Sequence, residues 1–560
     1  MKLSKSFIGL IIVSLVFYLY ATNSFSIFQS NSALEIVDFS IESSPNKIDI
    51  PSNPFRNPYY GDLHVHTKYS FDAYIFGVTA TPYDAYKFAT GRAIKHPLGF
   101  DMKLREPLDF YAVTDHGFYM GMIENYADTS SKMSKNEWTI PMHNLNRPEN
   151  VTVESTGERA DLFSSVVRQA IVIPHPWWHP NYIGAWLTNN IQLALKSFDY
   201  DVHKSAWADV ANAAEEFNDP GKFTTFIGYE FTTSTDVEGG NLHRNVIFNS
   251  SNAPIRPWTR IDSINPEDLW TWMDNLRDKG VDSLAMPHNS NGSNGQMFEV
   301  ETFRGNPINE EYAEKRMRNE PVVEMTQVKG TSDTHPLLSP DDEWADFEIM
   351  DKRVGSRPPT YSMPQGGYVR DAYLRGLTLD WEGRGNPYKF GLIGSSDTHT
   401  GAGAYDENNY WSKVGVLDGT DMGRGSVPLS QDRIDQLTQY SIDFNQPVST
   451  KQIEGKTYAD VGFDQWSASG LAVAWAEENT RDSIFQAFKR KETFATTGTR
   501  MAVRFFAGFD MESIDLSSED MVENAYAKGV TMGADLFSQG NQTPQFIVWA
   551  QRDKLGAPLQ

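Results

Sequence analysis

Two histidines two residues apart stand in Asp62-Leu63-His64-Val65-His66-Thr67, with Ser70 and Asp72 just beyond. On an extended strand, residues i and i+2 project to one face, so His64 and His66 share a side. Asp72 lies a short loop away and can fold back toward them. Similar chemistry recurs in Thr114-Asp115-His116, Glu230, His243, Pro287-His288-Asn289 and Asp397-Thr398-His399. Six imidazoles and three carboxylates in this set suit zinc, manganese or iron. Nine donors exceed one tetrahedral site, so two or three divalent transition metals are expected. A carboxylate can bridge two such ions, and ions about 3.5–4 Å apart can clamp one substrate oxyanion. A lone histidine at a strand end is ordinarily just a hydrogen-bonded polar residue. The joint occurrence of these groups after successive strands is what points to a metal site.

The composition narrows the alternatives. The chain of 560 residues contains 12 His and no Cys. That excludes disulfides, thiolate zinc fingers, iron–sulfur clusters and a cysteine nucleophile. With Lys+Arg 49 against Asp+Glu 73, the net charge is −24, a poor match to a nucleic-acid backbone, and no nucleic-acid partner is expected. No Gly-x-x-x-x-Gly-Lys-Ser/Thr phosphate loop and no Gly-x-Ser-x-Gly elbow is present, which argues against an ATPase and a serine hydrolase.

The elements that must carry these residues alternate. Candidate strands are Asp62–His66, Asp109–Thr114, Phe223–Tyr229, Asn245–Phe248, Ser283–Met286, Val322–Val328 and Phe390–Gly394. Helix-like segments include Ala206–Asn218, Pro266–Lys279, Glu310–Asn319 and Val369–Gly376. Strand–helix alternation predicts an α/β fold with parallel βα units. In a βα barrel the C-terminal strand ends converge on one mouth, where distant residues meet. Residues 1–27 have two lysines followed by an apolar run, and are expected to be a signal peptide or an N-terminal membrane anchor. That predicts a periplasmic or secreted protein. Residues 28–56 look like a linker, 57–500 like the main domain, and 501–560 like a small β-rich extension with strands at Val503–Phe509 and Gln545–Ala550. The abrupt stop at Gln560 suggests a truncated sequence. The acidic stretch from Asp341 to Glu348 reads as solvated surface, and the Pro/Trp-rich run holding His175 and His179 as a plain packed loop, with a rigid wall over the mouth as the alternative.

These motifs resemble the PHP (polymerase and histidinol phosphatase) superfamily, with Asp62 to Asp72 matching its first motif. Thr114-Asp115-His116, Glu230, His288 and Asp397-Thr398-His399 match the later ones. Phrases such as Tyr60-Gly61-Asp62, Phe226-Ile227-Gly228-Tyr229-Glu230, His243-Arg244-Asn245-Val246 and Thr496-Thr497-Gly498-Thr499-Arg500 are similar to the DUF3604 branch. The resemblance implies a distorted seven-stranded (β/α) barrel with insertions and a trinuclear site. One ion would take His64, His66, Glu230 and Asp397. A second would take Asp72, His116 and His399. A third would take His243 and His288 and share Glu230, with His175 an available substitute for His243.

The expected function is an exported metal-dependent phosphoesterase acting on a small anionic ester, with a metal-bridging hydroxide attacking phosphorus. His116, His399 and Asp397 are the expected catalytic residues. Arg244, Arg370, Arg500 and His335 are expected to bind substrate, with Arg304 a further oxyanion candidate. The same metals could instead serve a carboxyl ester, carbamate, amide or sulfate ester. A non-catalytic metal- or glycan-binding surface protein is the reading of a different class.

Overall fold

A computed structural model describes residues 33–41, 50–170, 198–234, 240–347, 349–353, 360–444, 449–460, 466–537 and 540–559. The leader and the loop holding His175 and His179 lie outside the described residues. Among the described residues, no helix is long and apolar enough to cross a membrane.

In chain order the main strands are β1 (Ile36–Asp38), β2 (Asn57–Asp62), β3 (Phe110–Tyr111), β4 (Thr224–Thr225), β5 (Gly228–Phe231), β6 (Arg244–Phe248), β7 (Asn252–Pro254) and β8 (Ser283–Pro287). They continue with β9 (Val322–Gln327), β10 (Gly391–Gly394), β11 (Leu471–Ala476), β12 (Thr493–Thr496), β13 (Ala502–Gly508), β14 (Gly529–Thr531) and β15 (Gln545–Gln551). A five-stranded sheet has the order β12–β11–β2–β3–β4. Within it β2, β3 and β4 run parallel, whereas β11 is antiparallel to both β2 and β12. A second sheet, β8–β6–β5, is antiparallel throughout. In a third, β9 and β10 pair in parallel. The fold is thus mixed α/β with several small sheets, and the strand pairings among the described residues trace no closed barrel.

Local chemistry explains the departures from an all-parallel expectation. The connection from β5 to β6, residues 232–243, is at the lower limit for a crossover, and β6 turns back antiparallel. β11 and β12 were not among the expected strands. β11 is Leu-Ala-Val-Ala-Trp-Ala, buried at every position, as a strand covered on both faces must be. β2 ends at Asp62, earlier than expected, and His64 and His66 lie beyond it. Asp62 Oδ1 accepts from the backbone N–H of both His64 and Ser396, which draws the chain out of the ladder. Only glycine fits at position 61, because a Cβ there would sit 2.2 Å from the Phe110 ring.

Helices cover the sheets with apolar stripes. Pro266–Arg277 opens with Asn265 Oδ1 accepting from Glu267 N–H and proline in its first turn. It buries Leu269, Trp270, Met273 and Leu276, spaced as one helical face. Each such side chain contributes about 1.5–3 kcal/mol on leaving water. Tyr200–Phe217 begins six residues before the expected Ala206 and presents Ala206, Val210, Ala213 and Ala214, small enough for close packing. Val369–Trp381 likewise runs past the expected Gly376.

Part of the expected linker is docked. β1 pairs with β7, and the Ala33 carbonyl accepts from Trp272 Nε1 at 2.9 Å. At the other end, β13 pairs with β14 and β15 and packs with helix Met521–Lys528 around Phe506, Met511, Ala525 and Ile547. Arg504 fastens this sheet to the main body. Its guanidinium lies 3.6 Å from the Trp475 ring centre and donates to the carbonyls of Phe55 and Arg56.

Candidate metal centre

The nine expected ligands meet in one buried cluster. Backbone hydrogen bonds that outrun the strands hold them together. His66 N–H donates to Thr398 O at 2.8 Å, Thr114 N–H to Val65 O at 2.8 Å, and Gly117 N–H to Glu230 O at 2.8 Å. His288 N–H reaches the His243 carbonyl at 3.3 Å. The loops after β2, β3, β5, β8 and β10 are therefore one fabric and not independent tips. Asp397 adopts φ +53 and Asn289, beside His288, φ +55. Asp and Asn tolerate this left-handed region better than most residues, and such turns concentrate at functional sites.

Glu230 is the hub. Its Oε1 lies 2.6 Å from His243 Nδ1 and 3.3 Å from His288 Nε2. Its Oε2 stands 2.9 Å from His116 Nδ1, 3.3 Å from His66 Nε2 and 3.7 Å from His64 Nε2, yet no hydrogen-bond geometry is satisfied there. Asp397 Oδ1 is 3.3 Å from His64 Nε2 and 3.4 Å from His66 Nε2. Asp72 Oδ2 joins His399 Nε2 at 2.9 Å and His116 Nε2 at 3.1 Å. These contacts bring the members of each expected grouping together, and His116 also reaches Glu230 across two of them.

Outer contacts fix which ring nitrogen faces inward. His66 Nδ1 donates to Ser70 Oγ at 2.8 Å, and Ser70 donates to Asp115 at 2.6 Å. His64 Nδ1 donates to Glu324 Oε2 at 2.8 Å. Both rings therefore turn Nε2 toward Glu230 and Asp397. The Nε2 atoms of His64, His66 and His288 are buried without hydrogen-bond partners, as is Glu230 Oε2. Buried polar atoms are rarely left unpaired, and imidazole nitrogens aimed at carboxylate oxygens are the donor set a divalent ion requires. Four sets, His64/His66/Asp397, His66/His116/His399, His64/His288/Glu324 and Glu230/His243/His288, can each hold an ion.

The electrostatics suit that role. Burial opposes charge on Glu230, but His116, His243 and His288 hold its carboxyl well below the usual range. Asp72 is buried too, and His399 and His116 depress it in the same way. For Asp397, Lys413 and His64 overcome the desolvation. All three carboxylates thus stay ionised. Burial, with His399 and His116 close by, drives the His66 pKa well down and keeps its ring neutral, the ligating form. His64 goes the other way: burial disfavours its charge, but Asp397 and Glu324 raise its pKa well above the usual value. Asp62 is pushed up to about 6, chiefly by burial, while it ties His64 and Ser396 together.

The expected substrate contacts fare differently. Arg244 adjoins His243 in sequence but points to the other side of β6. Its Nε donates to Glu320 at 2.7 Å and its Nη1 to the Leu242 carbonyl, so it is no anion contact. Arg370 is half-exposed and paired with Asp333 and Asp342. Arg500 donates to the carbonyls of Glu106 and Pro107 and lies over the Tyr60 ring. Arg304 is an exposed residue near Asp268. His335 stacks loosely with Tyr368 at 5.6 Å. None of these five contacts a ligand of the cluster. In the acidic stretch Asp341, Glu343 and Asp346 are exposed, as expected of solvated surface.

Three residues that sequence reasoning passed over take part instead. Glu324 sits mid-strand in β9, where an acid inside an apolar run is itself a signal that it must be paired. Lys413 Nζ lies 3.1 Å from Asp397 Oδ2 and 3.4 Å from His399 Nδ1. Lys329 is buried, donates to Ser332 Oγ at 3.0 Å, and has its pKa drawn down to about 8 by desolvation.

The chain belongs to the DUF3604 family, described as a protein family of unknown function, whose model matches residues 53–560. No curated protein and no solved structure matches it.

Proposed function

We propose that this DUF3604 protein is an exported, multinuclear metal-dependent hydrolase acting on phosphate mono- or diesters. The observation that carries the reading is the convergence of unpartnered, buried Nε2 atoms on Glu230 and Asp397. The motif resemblance to the PHP superfamily supports it. Zinc, manganese or iron held here would polarise an ester oxygen and acidify a water nucleophile.

The chain's own residues do the rest. His64, His66, Glu230 and Asp397 form one cradle, Asp72, His116 and His399 a second, and His243 and His288 a third around the shared Glu230. His116 and His399 both turn Nε2 to Asp72 Oδ2, the face each would offer to an ion, and either could also protonate the leaving group. Lys413 supplies a fixed positive charge beside Asp397 for the oxyanion, and buried Lys329 strengthens the field on that side. This assigns to two lysines the role expected of Arg244, Arg370 and Arg500.

The experiment is elemental analysis of the purified protein together with aryl phosphate, carbamate, carboxylate and sulfate esters assayed side by side. Stoichiometric transition metal and preferential phosphate ester hydrolysis are expected. Preference for a carbon or sulfur ester would keep the metals and replace the electrophile. Substoichiometric metal with no hydrolysis would leave only the non-catalytic surface protein. His64→Ala with His66→Ala should remove activity and metal while the protein stays folded, and full activity in that variant would sink the assignment.

A further inference from the structure

One buried cation near the cluster has no role in this reading. Arg260 is 7% exposed. Its Nη1 makes only a long 3.5 Å contact to Ser234 Oγ, and its Nη2 has no hydrogen-bond partner. The guanidinium lies 5.4 Å from the centre of the Phe118 ring. Burial draws its pKa down to about 10, and among the described residues no carboxylate counters the effect. Other buried arginines have a carboxylate or backbone carbonyls to answer their charge, although Arg481 Nη2 also lacks a hydrogen-bond partner. Arg244 and Arg316 pair with Glu320, Arg256 with Asp262, and Arg481 with Glu215. Arg159 and Arg504 donate to backbone carbonyls. Burying a guanidinium without a counter-charge is costly, so a site that does so is built for an anion that arrives from outside.

The position of Arg260 says where that anion sits. Phe118 stands two residues beyond His116. Ser234 stands four residues beyond Glu230 and bridges to Asn241, whose side-chain amide is 3.3 Å from His243 Nε2. Thr233 Oγ1 donates to the Ile264 carbonyl at 3.0 Å, tying the Arg260 loop to the same hairpin. Helix Pro266–Arg277 then runs back toward the start of β8, and β8 ends at Pro287, next to His288. The loop before that helix is therefore at the ligand end of the fold. Arg260 belongs to the His116 and His243 side of the cluster, whereas Lys413 belongs to the Asp397 and His399 side.

We propose that Arg260 is a specificity residue whose free guanidinium edge binds a second oxyanion of the substrate, remote from the scissile bond. It contacts none of the nine ligands, so the group it holds is not the one that reacts. The substrates are then esters carrying an additional carboxylate, phosphate or sulfate. The substrate part of this inference rests on the hydrolase reading, but anion binding at Arg260 does not.

Two measurements on the full chain test it. In the first, thermal unfolding is followed while inorganic phosphate, sulfate or acetate is titrated, on metal-loaded and on chelator-treated protein. The wild type should show a saturable rise in Tm in both forms. Arg260→Gln and Arg260→Met should abolish it, and Arg260→Lys should keep part of it. The anion giving the largest rise identifies the preferred group. An equal rise in the Gln and Met variants, or no saturable rise in the wild type, overturns the proposal. In the second, an aryl phosphate with a remote carboxylate is compared with the same ester lacking it. Arg260→Gln should raise KM for the carboxylated ester by roughly ten- to a hundredfold at unchanged kcat and leave the plain ester alone. Equal losses on both esters would show a merely structural residue and overturn it. An Arg260-dependent rise in Tm without hydrolysis of any ester would preserve the anion site and remove the hydrolase reading.

Discussion

Glu324→Gln is the sharpest single perturbation of the metal centre. Glu324 Oε2 accepts from His64 Nδ1 at 2.8 Å, and its Oε1 accepts from Gln327 Nε2 at 3.0 Å. The side chain is 2% exposed, so water cannot replace either contact. The carboxylate keeps the proton on Nδ1 and makes Nε2 the better donor atom. Glutamine keeps the volume but turns one acceptor oxygen into an NH₂ group, which cannot accept from both partners. A hydrogen bond to a charged group contributes about 1.5–3 kcal/mol. Outer carboxylates on ligating histidines change metal affinity by roughly 10–100-fold, or about 1.4–2.7 kcal/mol. The two scales agree, and a loss within that range is expected. Competition against a chromophoric chelator measures it, with far-UV circular dichroism as the check on folding. The Asp72, His116 and His399 group should keep its ion. Unchanged affinity and stoichiometry in Glu324→Gln would refute the view that this carboxylate sets the His64 tautomer.

Two further expectations follow from buried groups outside the ligand cluster. Arg244→Met should destabilise the fold by about 3–5 kcal/mol, because it removes a buried partner of Glu320. Urea unfolding reads this, while metal content and KM for a phosphate ester stay put; a raised KM at unchanged stability would restore Arg244 to the substrate site. His203 donates to the Gly117 carbonyl at 2.7 Å, and burial lowers its pKa from the usual 6.5 to about 4. Below pH 6.5 the unfolded chain takes up a proton that the folded ring refuses. Stability is therefore full above pH 6.5 and is lost as pH falls toward 4, by up to about 3 kcal/mol. His203→Gln should lack this part of the acid sensitivity, and parallel wild-type and variant curves between pH 7 and 4 would disprove the assignment.

The convergence of these nine side chains was legible because its signal is local: His-x-His and Asp-x-His reveal a shared face wherever they end a strand. Arg244 misled for the same reason. Adjacency in sequence on a strand means opposite faces, so the neighbour of His243 had to point away from it. Glu324 was passed over although an acid inside an apolar run signals that it must be paired, because nothing in the sequence says with what. β11 was missed because Leu-Ala-Val-Ala-Trp-Ala has the composition of a helix as much as of a buried strand, and periodicity cannot separate them. The pairing of β2 with β11 follows from nothing nearby, since their partners are some four hundred residues apart.

That last pairing has a consequence for how the protein comes into being. β2, which delivers His64 and His66, has β3 on one side and β11 on the other. During synthesis the first ligand pair emerges early, but one wall of its bed is among the last parts of the domain to be made. Closing so long a loop is entropically expensive and is rewarded only once β11 arrives. Until then the apolar residues of β2 and β3 stay exposed, in the kind of half-formed chain that aggregates or needs a chaperone. Completion of this cluster is therefore a late event in the life of the chain.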